Sequence, residues 1–99
     1  MAKKDKIVSS SGNVFADLGF DENEAANLRI RAMLMATINQ YINDHELTQA
    51  DAAKLFDEKQ PRISEIKQGK IELFTVDKLI NMLACIDYQV DVTVREKAA

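Results

Sequence analysis

The chain has 99 residues, 46% of them apolar and 29% charged, which is enough for one domain with a core and too few for two. A net charge of −3 excludes a generally basic nucleic-acid coat but leaves room for a local basic face, and the single cysteine, Cys85, excludes an internal disulfide. No apolar run approaches the roughly 18 residues of a membrane span and the start MAKKDK lacks a signal-peptide core, so a cytoplasmic protein in a reducing compartment is expected.

Residues 1–13 are polar, with Lys3, Lys4, Lys6 and a Ser9–Ser11 run, and read as a flexible arm. Val14, Phe15, Leu18 and Phe20 then gather apolar bulk in a short segment. Two readings stand: a flap over the domain's own core, or a hydrophobic handle for a partner protein. Asp21 is an N-cap with Glu24 in capping-box position and Phe20 placed as a staple. The helix it opens should run to about Asp44, with Leu34, Ile38, Tyr41 and Ile42 as its core stripe, broadened by Met33 and Met35. His45 has no second histidine to pair with, so no metal site is expected.

Residues 47–70, LTQADAAKLFDEKQPRISEIKQGK, read as two short helices joined by a tight polar turn. Thr48 caps the first, with Asp51 in the reciprocal position, and Ala52, Ala53 and Phe56 face inward. Asp57, Glu58 and Lys59 break the apolar pattern. Pro61 suits the first turn of the second helix, Ile63 and Ile66 are its inward anchors, and Gly69 is its stop. Helices this short need a body to pack on, because nucleation is costly.

Ile71, Leu73 and Phe74 form an apolar connector. Thr75 caps a further helix with Asp77 in its first turn, and Val76, Leu79, Ile80 and Leu83 make a clean apolar face. Met82, Cys85 and Ile86 add bulk, and Cys85 reads as a small buried hydrophobe. The tail then changes period: Val90, Val92 and Val94 alternate with polar residues, the pattern of a strand with one buried face. A lone strand leaves main-chain groups unpaired, so it needs Ile7–Val8, Val14–Phe15, the same strand of a second copy, or another partner.

No phosphate-cradling glycine loop, no Cys/His ligand spacing and no nucleophile motif is present, so neither an enzyme nor a cofactor is expected. What remains is charge placement. Lys59, Arg62, Lys67 and Lys70 face a single acid, Glu65, on an otherwise acidic background. Gln60 and Arg62 are side chains that read adenine and guanine edges, Ser64 points outward beside them, and Lys59, Lys67 and Lys70 suit phosphates. Gln49, at the start of the first motif helix, suits a backbone contact.

LTQADAA…QPRISEIKQGK resembles the Cro/lambda-repressor-like (Xre-type) helix-turn-helix. NVFADLGF and FTVDKLINMLACIDYQVDV extend the likeness from about Asn13 to Arg95, toward a subgroup associated with HigA-type antitoxins of toxin–antitoxin modules. The resemblance implies an all-α, five-helix DNA-binding domain over residues 14–87 that forms a homodimer. Its partners would be double-stranded operator DNA and a cognate toxin. To this the tail adds a dimerisation strand within residues 88–99. By position, Gln49, Gln60, Arg62, Ser64 and Lys67 match the DNA-contacting residues. Family members carry Gly where Asp57 stands, an apolar residue at Glu58 and a Ser cap at Lys59. Glu65 puts a negative charge on the expected DNA face. With the acidic net charge, these acids keep open an alternative, a protein-interaction module with little DNA binding.

Overall fold

The computed structural model describes Gly19 and residues 21–97. Among them are four α-helices, α1 (Glu22–Asp44), α2 (Gln49–Leu55), α3 (Gln60–Lys67) and α4 (Val76–Ala84), with one 3-10 turn at Ile71–Leu73. Among the described residues the domain is all-helical, as expected, with four α-helices where the resemblance implied five.

Three of the four helices start on the side chains the sequence marks. Asp21 Oδ1 accepts from the Glu24 N–H at 2.8 Å, Thr48 Oγ1 from the Asp51 N–H at 3.0 Å, and Thr75 Oγ1 from the Lys78 N–H at 3.2 Å. Each such cap is worth about 1 kcal/mol. α3 starts on Lys59, whose side chain makes no capping bond, and Pro61 in its first turn presets the backbone instead.

The core gathers one face from every element. Leu34, Met35, Ile38 and Ile42 of α1 meet Ala52, Ala53 and Phe56, then Ile63 and Ile66 of α3, Phe74, and Leu79, Met82 and Leu83 of α4. No polar or charged side chain is buried in it among the described residues. Tyr41 joins an aromatic corner at its edge, stacked on His45 at 3.9 Å and edge-on to Phe56 and Tyr88. Cys85 departs from expectation: it is exposed, at the C-cap just beyond α4, and its Sγ faces the carbonyl oxygen of Asn81 at 3.6 Å.

The expected C-terminal strand does not form. Residues 89–97 belong to no helix or strand. Val90 is half-buried against the core, whereas Val92 and Val94 are 75% and 88% exposed. The reason is the neighbour. Tyr88 packs on Tyr41 near the end of α1, and Lys97 pairs with Glu22 at its start. From Glu22 to Tyr41 the helix covers about 28 Å, and ten extended residues cover about 30 Å. The tail thus lies antiparallel along α1, and a helix has no free main-chain groups to offer a strand.

Candidate nucleic-acid interface

α2 leaves its last turn through Asp57, whose φ of 55° is left-handed. The Glu58 N–H reaches back to the Ala53 oxygen at 2.8 Å and the Asp57 N–H to the Lys54 oxygen at 3.3 Å. That pair of bonds is a Schellman closure, normally given to glycine and tolerated by Asp. Glu58 then turns inward, where its carboxylate pairs with Lys78 of α4. Its side chain is only 10% exposed, so an acid at a position expected to be apolar is matched by a cation on the facing helix.

α3 is fixed from three sides. Ile63 and Ile66 are fully buried. Asn39 of α1 donates Nδ2 to the Ile66 carbonyl at 2.8 Å. Arg62 does not extend over the groove-facing surface as expected. Its guanidinium lies 4.1 Å from the centre of the Phe74 ring, donates Nη2 to the Leu73 oxygen at 3.2 Å and holds Glu65 through Nη1 at 2.8 Å. Arg31 of α1 donates Nη1 to the oxygens of Ile71 and Phe74 on the same connector. Two arginines therefore satisfy the connector's carbonyls, and Glu65 is neutralised by Arg62.

The opposite face of α3 is open. Gln60, Lys67 and Gln68 are exposed and Ser64 is half-exposed. At 3.6 residues per turn, Gln60, Ser64 and Gln68 fall within about 80° of arc. Gln68 donates Nε2 to Ser64 Oγ at 3.1 Å. Lys59 and Lys70 stand exposed at the two ends of the helix, and none of Lys59, Lys67 and Lys70 is in an ion pair among the described residues. Gln49 is exposed at the start of α2. Six of the seven expected DNA residues thus carry solvent-facing side chains on the motif, and Arg62 is held elsewhere. Sequence reasoning missed Gln68, although its spacing of four from Ser64 and eight from Gln60 carried the signal. It also missed Asn39 and Arg31, which hold the motif from another helix.

Val14, Phe15, Leu18 and Phe20, the expected partner handle, lie outside the described residues. Among the described residues, no cluster of His, Cys, Asp and Glu could hold a metal ion, and no helix is long and apolar enough to cross a membrane.

A family model described as a helix-turn-helix domain matches residues 14–95. A solved structure described as a candidate XRE-family transcriptional regulator is similar, with a TM-score of 0.69 and 30% sequence identity over 75% of this chain and 83% of its own. No curated protein matches the chain. The chain therefore belongs to the helix-turn-helix family of XRE type and is a DNA-binding transcriptional regulator.

Proposed function

We propose that the chain is a homodimeric repressor of its own operator, with one α3 per subunit in successive major grooves about 34 Å apart. The observation that carries this reading is the division of α3 into a fully buried isoleucine side and an open polar side flanked by Lys59, Lys67 and Lys70. Gln49 and the three lysines take phosphates; Gln60 and Ser64 take base edges. The second copy joins through the tail, where the exposed valines Val92 and Val94 sit on an extended backbone that lacks strand partners among the described residues. Such a regulator works in the cytoplasm, where its DNA is, and needs no cofactor or catalysis. The interaction-module reading drew support from Glu58 and Glu65; both carboxylates are ion-paired, which weakens that support.

The antitoxin role extends this proposal and rests on the likeness of residues 13–95 to the HigA-type subgroup. The segment Val14–Phe20 would grip the toxin. Loss of toxin affinity in Phe15→Ala, with operator binding unchanged, is the expected result; unchanged affinity removes the handle.

A salt series on DNA from the protein's own upstream region tests the core claim. Three lysines per subunit imply six phosphate contacts per dimer, hence a loss of about a thousandfold in affinity between 50 and 200 mM salt. A flat response rules out groove binding. For the dimer, sedimentation of a chain ending at Tyr88 should show monomer, and a truncated chain that stays dimeric rules out pairing through the tail.

A further inference from the structure

We propose that the free chain stores its own Val14–Phe20 segment in an apolar groove on one flank of α1, so that a partner taking this segment must first lift it off. The proposal stands whether or not that partner is a toxin.

Three observations lead to it. The first is the groove itself. Ala32, Met35, Ala36 and Asn39 of α1 line one side, and Gly69 and Ile71 line the other. Its volume is about 340 Å³, against the roughly 30 Å³ that one water takes up in the liquid. The lining is apolar apart from Asn39, whose amide is already donated to the Ile66 carbonyl. Such a groove suits bulky apolar side chains, because a polar ligand would lose its water bonds there without replacement. The second is burial. Ala25 and Leu28 fall within about 80° of arc with Ala32 and Ala36, so they continue the groove toward the start of α1. Both are buried, at 5% and 9% exposure, yet neither belongs to the core cluster. The other flanks of α1 are taken: Leu34, Ile38 and Ile42 face the core, and the tail runs from Tyr41 to Glu22. The third is the supply of an occupant. Val14, Phe15, Leu18 and Phe20 stand directly before α1 in the chain. Gly19 is in a turn at φ 97°, a left-handed backbone that reverses a chain and suits glycine. Residues ahead of it are thereby sent back along α1. From Asp21 to Ala36 the helix covers about 22 Å, and seven extended residues cover about 23 Å. Phe20 and Leu18 then reach Ala25 and Leu28, and Phe15 and Val14 reach the groove. Seating them there takes both apolar surfaces out of water at once.

NMR on the full-length chain tests the placement. Nuclear Overhauser contacts should join the Phe15 ring and the Leu18 methyls to the methyls of Ala32, Ala36 and Leu28. Their absence overturns the proposal. So does their appearance only between labelled and unlabelled copies in a mixed sample, which would make a second copy the occupant. A variant gives an independent reading. Ala36→Glu puts a charge into the groove and leaves the core-facing residues of α1 untouched. It should abolish the contacts and speed chymotrypsin cleavage after Phe15 and Phe20 at least tenfold, with the melting curve still cooperative. Ala36→Ser, small and uncharged, should cleave as the wild type does. Equal cleavage of Ala36→Glu and wild type overturns the proposal, and if Ala36→Glu fails to fold, the contacts in the wild type decide alone.

Discussion

All four helices leave through a left-handed residue: Glu46 at φ 51°, Asp57 at 55°, Gly69 at 75° and Asp87 at 61°. At each, a main-chain N–H one residue further on closes back over the last turn, as Leu47 does to Ile42 and Lys70 to Glu65. Only Gly69 adopts this backbone without steric cost. Glu46 is the least suited of the others, because a short Asp can bond locally and Glu cannot do so as readily. Glu46→Gly should therefore stabilise the fold by about 1 kcal/mol, seen as a rise in Tm of roughly 4–8 °C. A fall in Tm would mean that the exposed Glu46 side chain makes a contact of its own. At the start of α4 the Asp77 carboxyl is held below its ordinary pKa, first by its hydrogen bond with the Thr75 side chain and then by its own main-chain N–H. A depressed folded-state pKa adds stability above the ordinary value, and this is lost as pH falls through the depressed one. In Thr75→Ala, an NMR titration should find the Asp77 pKa moved up.

At the scale of elements, the motif is held by what surrounds it. Arg62→Ala removes a ring contact and a bond to the connector, so a urea titration should show a loss of about 1–2 kcal/mol. Arg62→Lys should not restore it, because an ammonium lacks the flat fork that stacks on Phe74 and reaches Leu73. The Glu58–Lys78 pair makes a second expectation. Lys78→Met strands a largely buried carboxylate and should cost about 1–2 kcal/mol, while Glu58→Leu in the same chain should recover most of it. These contacts also mark the limit of what the sequence showed. Asp21, Thr48 and Thr75 were legible as caps because capping is a matter of three or four neighbouring residues. Asp57 was marked only through the resemblance, as standing where family members carry Gly. Arg62 read as a base-reading residue because charge patterning does not say which way a long side chain turns. Its direction is set by Phe74, twelve residues on, which no local periodicity links to it. Lys78 likewise answers Glu58 from another helix.

For the molecule as a whole, the tail is the part the sequence half described. Its alternation of valines was plain. Its pairing was not, since main-chain partners for a strand have to come from elsewhere and α1 supplies none. Glu22 reports on where the tail lies. Its carboxyl is held below the ordinary pKa by Lys97, chiefly through the hydrogen bond and then through charge. Removal of residues 89–99 should return Glu22 to its ordinary pKa in an NMR titration; no movement would mean that the tail does not rest on α1 in solution. The clamp on α3 has a further consequence, for how such a regulator diversifies. Ile63, Ile66, Arg62 and Glu65 face the domain and are tied to α1 and the connector, so changes there cost folding. Gln60, Lys67 and Gln68 are exposed and Ser64 half-exposed, and the one side-chain hydrogen bond among them runs from Gln68 to Ser64, so each can be rewritten with little disturbance of the frame. A duplicated copy of this chain could thus acquire a new operator through a handful of codons while keeping its fold intact, and a library varying only those positions is the economical way to retarget it.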